Sequence, residues 1–108
     1  MNYKISYVAE GDERKYSNFA LDIRLFAEAN NLVYNNLDAN KRVADSYKNT
    51  FFGRYNICAR SITGLNDEGD IDMIVKTSNF IKERAKERGV KVPVFIISED
   101  ITEKTKEV

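Results

Sequence analysis

The clearest pattern of apolar and polar positions lies between residues 67 and 98. Apolar or small side chains recur there at the spacing of an amphipathic helix that ends at Gly89, namely Ile71, Ile74, Val75, Ser78, Ile81 and Ala85, with Met73 and Phe80 beside them. Residues 90–97 then form a nearly unbroken β-branched and aromatic run. Because this run has no polar residue after Lys91, it predicts a strand that is buried on both faces.

Further helices and strands are predicted upstream, most of them ending at a turn or a glycine. They are a strand at residues 3–9 before a turn at 10–12, a helix at 12–30, a short strand at 32–34 before an Asn35-Asn36 turn, a short helix at 38–48 and a strand at 54–63. The charged residues 99–108 predict a frayed tail. We therefore expect one domain over residues 1–98.

The predicted order is β, α, β, short α, β, α, β. It favours an α/β fold in which a small, four-stranded, mostly parallel sheet has helices on both faces, as in flavodoxin-like proteins. If the short helix does not form, the order becomes βαββαβ, a ferredoxin-like sheet with both helices on one face. The uninterrupted apolar character of residues 92–97 favours the flavodoxin-like arrangement, since a sheet open to water normally alternates.

The composition of the chain excludes several kinds of catalytic and metal site. The 108 residues carry 17 basic and 17 acidic side chains, no histidine and one cysteine. The balanced charge argues against general coating of nucleic acid, and the lack of histidine excludes Ser-His and Cys-His catalysis and the usual zinc sites. Cys58, in a predicted buried strand, is expected to be an inert core thiol. With no secretory leader and no membrane-spanning run, we expect a cytoplasmic protein.

One segment combines basic and aromatic residues. It comprises Arg42, Lys48, Phe51, Phe52, Arg54, Tyr55 and Arg60. Such residues can pair with phosphate or carboxylate while the rings stack on a ligand or a partner. The alternative is that the aromatic residues are core and the cations are solvated. The segment is the predicted ligand- or partner-binding site.

The same segment predicts self-association. If both long helices lie on one face of the sheet, the short helix at 38–48 is too small to cover the other face. Aromatic residues near it would then form an exposed patch of the kind that marks protein interfaces. We therefore expect a homodimer or higher closed oligomer that buries part of residues 43–55.

A second candidate site is acidic. In a parallel sheet the carboxyl ends of the strands meet at one edge, where Glu10, Asp12 and Asp67 would converge. Three carboxylates can hold Mg²⁺ for phosphate transfer or hydrolysis. The alternative is that Asp12 and Asp67 only begin helices. Under that alternative we expect no cofactor.

The segment Val8-Ala9-Glu10-Gly11, followed by a helix, resembles the Toprim family of metal-dependent nucleotidyl-transfer domains. That family has a glutamate after its first strand and an Asp-x-Asp directly after a later one. Here the corresponding Asp70 and Asp72 fall inside the predicted helix rather than at a strand end. The resemblance stops there, and we do not assign the chain to this family.

Two classes of function remain open. The first is a small, cytoplasmic, non-enzymatic binding or regulatory protein that occludes a macromolecule or sequesters an anionic, nucleotide-like ligand through the aromatic-basic segment. The many Asn, Lys, Ile and Tyr residues fit an AT-rich coding genome, such as that of a phage or mobile element. The second class is a Mg²⁺-dependent phosphate-transfer or hydrolysis domain that uses the acidic site.

Overall fold

The computed structural model describes residues 1–37, 55–66 and 72–101. These residues form four strands and two helices in the order βαββαβ: β1 (Asn2–Asp12), α1 (Glu13–Ala29), β2 (Val33–Leu37), β3 (Tyr55–Asn66), α2 (Asp72–Arg88) and β4 (Lys91–Glu99). The predicted short helix at 38–48 lies outside the described residues.

All strand pairs in the sheet are antiparallel, in the order β2-β3-β1-β4. The mostly parallel, flavodoxin-like prediction is therefore wrong. The element order and the two helices on one face are those of the ferredoxin-like alternative, an α+β arrangement. The error came from β4. Its apolar run suggested burial on both faces, but β4 is an edge strand on which Val94 and Ile96 are 42% and 53% exposed.

The two long helices form where the apolar periodicity predicts them. Asp12 caps α1, because its extended backbone lets the carboxylate accept a hydrogen bond from the Lys15 backbone N–H at 3.0 Å. Asn31 ends the helix in a left-handed conformation with φ of 58°. Gly89, with φ of 70°, does the same for α2, as expected for a glycine at this position. Neither described helix is long and apolar enough to cross a membrane.

The core lies between the helices and one face of the sheet. Ile5, Tyr7 and Ala9 alternate along β1 toward α1 and are almost completely buried. Between the helices, the Phe26 and Phe80 rings stack with centroids 4.2 Å apart. Both helices therefore cover the same face of the sheet.

The other face of the sheet is called the open face, because no described helix covers it. Strand pairing places on it Asn2, Lys4, Ser6, Val8, Glu10 and Asp12 of β1, Val33, Asn35 and Leu37 of β2, Tyr55, Ile57, Ala59, Ser61, Thr63 and Asn66 of β3, and Lys91, Val94, Ile96 and Ser98 of β4.

Two predicted turns are instead strand, and β3 continues past its predicted end. Residues 10–12 extend β1, Asn35 and Asn36 lie within β2, and residues 63–66 extend β3 through an irregularity in its pairing with β1. Gly64 takes φ of 95° there, which only glycine adopts without strain. The predicted tail also starts later than expected, since Glu99 belongs to β4 and the Asp100 N–H donates to the Asn2 carbonyl at 2.8 Å.

Candidate anion-binding site

The predicted aromatic-basic segment is described only at Tyr55 and Arg60. Arg42, Lys48, Phe51, Phe52 and Arg54 lie outside the described residues. Tyr55 pairs with Asp12 on the open face, whereas Arg60 pairs with Tyr7 on the helix-covered face. The regular alternation of β3 therefore places these two side chains on opposite faces of the sheet. They do not belong to a single site.

On the open face, Tyr55 contacts an acidic residue. Its hydroxyl donates a 2.7 Å hydrogen bond to Glu10 Oε1. Burial and this hydrogen bond to the carboxylate raise the pKa of Tyr55 to about 12. Tyr55 is therefore a neutral donor near neutral pH.

On the helix side, Arg60 lies in a groove of about 350 Å³ between α1, β2 and β3. We call it the tyrosine-arginine groove. Its described lining residues are Tyr16, Ser17, Ala20, Leu21 and Arg24 of α1, Tyr34 and Asn36 of β2, and Arg60 of β3. Helical spacing brings the α1 residues to one side, and alternation along β2 brings its two residues to the same face. The volume is in the range of small-ligand sites.

Arg60 is held in place from three directions. Its Nε donates to the Tyr34 hydroxyl at 3.2 Å, and its Nη1 donates to the Ala59 carbonyl at 2.8 Å. The guanidinium carbon also lies 5.7 Å from the centroid of the Tyr16 ring, a cation–π distance. Burial lowers the pKa of Arg60, but the Tyr16 and Tyr34 phenols outweigh this effect and leave the pKa raised. The side chain is a fixed, permanent positive charge.

Arg24 adds a second charge at the groove. Its guanidinium carbon lies 5.7 Å from the centroid of the Tyr34 ring, so Tyr34 contacts both arginines. Among the described residues, no carboxylate lies within ion-pair distance of Arg24 or Arg60. The described lining also contains no acidic residue. A groove with two cations and no described counter-ion favours an anion.

Two buried tyrosine hydroxyls lie beside Arg60 and lack a well-formed hydrogen bond within the described part of the chain. The hydroxyl oxygens of Tyr7 and Tyr16 are buried, and their described polar neighbours, the Tyr34 hydroxyl and the Cys58 thiol respectively, do not reach good hydrogen-bond geometry. Burial first, and neighbouring phenols second, raise the pKa of both tyrosines. Both hydroxyls therefore stay protonated. An unpaired buried donor costs free energy, so a ligand oxygen that reached one of them would remove that cost.

The predicted acidic site required parallel strands whose carboxyl ends meet at one edge of the sheet, and the antiparallel sheet does not provide such an edge. In the antiparallel sheet Asn66 pairs with Asn2, at the opposite end of β1 from Glu10. That separation is about 25 Å at the usual rise per strand residue. Asp67, which follows Asn66, lies outside the described residues. Asp12 caps α1, and no group of three or more possible metal ligands occurs among the described residues.

Sequence patterns missed most of the groove. The sequence pattern places Tyr16 in the helix predicted at 12–30 and Tyr34 in the strand predicted at 32–34, and it gives neither residue a functional role. Arg24 falls eight positions after Tyr16, on the same side of the helix. The signal was at Arg60, which stands between Cys58 and Ile62 at positions that alternate toward the core. A cation in such a position requires an anionic or aromatic partner.

The comparisons with known proteins assign no family. No protein-family model, no curated protein and no solved structure matches the chain significantly.

Proposed function

We propose that the chain is a small binding protein that sequesters an anionic, nucleotide-like ligand in the tyrosine-arginine groove. The observation that carries the proposal is the pair Arg24 and Arg60, which face one groove without an acidic partner among the described residues. A phosphate or carboxylate group would replace the missing counter-ion through charge-assisted hydrogen bonds.

The polar groups around Arg60 suit an oxyanion. Arg60 uses Nε and Nη1 for contacts within the protein, which leaves Nη2 for a ligand oxygen. The Tyr16 hydroxyl has no well-placed acceptor among residues 1–37, 55–66 and 72–101, and Ser17 and Asn36 add further donors along the wall. Several donors of different geometry can share the oxygens of one phosphate group.

The remaining wall suits an uncharged part of the same ligand. Ala20 and Leu21 line the groove, and Leu21 is 50% exposed although it is a large apolar residue. The Tyr34 ring adds an aromatic edge. A ligand with a flat apolar group and a phosphate group, such as a nucleotide, matches both parts of the groove.

A cytoplasmic location is part of the proposal. Cys58 is buried and unpaired, which suits a reducing compartment. Fractionation of cells that produce the tagged chain tests this location directly, and recovery in the secreted fraction would contradict it.

Titration calorimetry tests the binding proposal. Inorganic phosphate, a nucleoside monophosphate and the uncharged nucleoside are compared on the intact chain. We expect the monophosphate to bind most tightly and the nucleoside most weakly. Loss of one charge-assisted contact in Arg60→Gln should lower the affinity at least about tenfold.

Arg84→Gln is the matched control. Arg84 also lies over an aromatic ring, 5.2 Å from the Phe80 centroid, but on α2 and away from the groove. Its replacement should leave the affinity unchanged. Absence of binding by both anions, or equal affinities for wild type and Arg60→Gln, would contradict the proposed function.

A further inference from the structure

The open face carries apolar side chains midway along its strands, and the most exposed of them are on β4. Val94 and Ile96 are 42% and 53% exposed, and they pair with Val8 and Ser6 of β1. Ala59 pairs with Val8 from the other side. A row of small and branched side chains therefore crosses three strands of the sheet.

The apolar character of β4 on both faces requires an explanation. Phe95 faces the helices, where the Lys82 ammonium lies 4.7 Å from its ring centroid. Val94 and Ile96 face the other way. Antiparallel sheets with one face in water normally place polar residues on that face. The exposed pair indicates that the open face is covered when the protein functions.

The charged residues of β1 indicate which kind of partner covers the open face. Lys4 lies near one end of the open face of β1 and Glu10 near the other, about 20 Å apart at the usual rise, with Ser6 and Val8 between them. Lys91 of β4 pairs with Glu10, but Asp12 beside them keeps that end net negative. When a second copy of this face is turned end to end and laid on the first, each positive end meets a negative end and the apolar centres meet each other. The face is therefore self-complementary.

We propose that the open faces of two copies of this chain stack on each other to form a symmetric homodimer. A two-fold axis that crosses the strands near Tyr7 sets β1 of one copy antiparallel to β1 of the other. Lys4 of each copy then faces Glu10 of the other, and Ile96 faces Val94. The two sheets pack about 10 Å apart, in the aligned manner of a β-sandwich.

Nucleic acid fits this surface less well. Proteins that bind single strands on a sheet face use several stacking aromatic residues and excess positive charge. Among the described open-face residues, Tyr55 is the only aromatic residue, and it donates to Glu10. The described charges on this face cancel, since Lys4 and Lys91 are matched by Glu10 and Asp12.

This surface differs from the one predicted from the sequence, residues 43–55, of which the structure describes only Tyr55. It also lies on the opposite side of the sheet from the tyrosine-arginine groove, so the dimer does not depend on the proposed function. Each proposal is tested by its own variants.

Light scattering coupled to size exclusion at micromolar concentration tests the dimer. Wild type should have twice the monomer mass of 12.4 kDa. The double variant Val94→Lys/Ile96→Lys should elute as a folded monomer, because four lysines cannot share the dimer centre. Val75→Lys is the matched control, since Val75 is 58% exposed but lies on α2, and it should remain dimeric.

Charge reversal tests the orientation. Lys4→Glu and Glu10→Lys should each raise the dissociation constant at least about tenfold, and the combined variant should recover most of the affinity. A monomeric wild type overturns the proposal, as does a dimer that survives Val94→Lys/Ile96→Lys. Dissociation by Phe52→Asp, with no effect of the open-face variants, would place the interface in residues 43–55 instead. Failure of the combined charge variant to recover would exclude the proposed axis.

Discussion

Arg60 on β3 donates a 3.2 Å hydrogen bond from Nε to the hydroxyl of Tyr34 on β2. This contact joins the edge strand to the interior of the sheet on the side of the tyrosine-arginine groove. Together with the Nη1 contact to the Ala59 carbonyl, it leaves Nη2 for a ligand. The two residues therefore contribute both to the stability of the edge and to the form of the groove.

Tyr34→Phe should affect both properties. Removing the acceptor leaves a half-buried Arg60 Nε–H without its protein partner, which should lower the free energy of unfolding by about 1 kcal/mol. Affinity for a nucleoside monophosphate should fall as well, because Arg60 gains rotational freedom. Urea unfolding and calorimetry measure the two effects. A variant with wild-type stability and affinity would show that the contact has no role in solution.

Tyr16→Phe should separate stability from binding. The Tyr16 hydroxyl is buried without a partner in the described residues, so its removal should leave the free energy of unfolding unchanged or raise it by up to about 1 kcal/mol. Ligand affinity should fall, since the variant has lost one donor. Equal losses of stability and binding in urea and calorimetric measurements would indicate that the hydroxyl serves the fold.

Alkaline pH should destabilise the protein. The pKa values of Tyr7 and Tyr16 are raised mainly by burial, and that of Tyr55 is raised to about 12 by burial and by Glu10. In the unfolded chain the tyrosine side chains ionise at about pH 10. Above that pH the unfolded chain therefore binds fewer protons than the folded one. Stability is therefore fully present below about pH 10 and is lost as pH rises through the folded-state values.

Urea unfolding at about pH 8 and about pH 11, with tyrosinate absorbance recorded alongside, checks this dependence. Tyr16→Phe should make the decline shallower, because one of the buried phenols is gone. A stability that is constant over this range would show that the tyrosines titrate alike in the folded and unfolded chain.

Replacements of Asp12 distinguish a helix cap from a metal ligand. Asp12→Ala should lower the free energy of unfolding by about 1 kcal/mol, and Asp12→Asn should retain most of the stability, because asparagine also accepts from the Lys15 N–H. Urea unfolding measures both, and equal losses would contradict the cap. Calorimetric titrations of wild type and of Asp12→Asn with Mg²⁺ should give the same heat.

The two helices could be predicted because each displays its own period, and Gly89 marks the end of α2. Strand direction could not be predicted. The apolar run at residues 92–97 is consistent with a buried parallel strand or with an antiparallel edge strand on which Val94 and Ile96 are exposed. The pairing of Ile5 with both Ile62 and Ile97 distinguishes them, and these are contacts between distant segments that no local pattern contains.

The candidate site could be predicted only at Arg60. Grouping Arg60 with Tyr55 followed their proximity in the chain, but strand alternation separates them. Tyr16 and Tyr34 become neighbours of Arg60 only when α1 packs over β2 and β3. Tyrosine is common in cores, so the sequence pattern alone does not show that the Tyr16 and Tyr34 hydroxyls lie beside a cation.

The most direct test of the anion-binding groove is an NMR titration of the ¹⁵N-labelled chain with a nucleoside monophosphate. We predict saturable shifts concentrated at the backbone amides of Ser17, Arg24, Asn36 and Arg60, with little change at Val94 and Ile96 on the open face. The same titration of Arg60→Gln should give much smaller shifts at the same ligand concentrations. Shifts centred on the open face, or absent from the groove at saturation, would contradict the account.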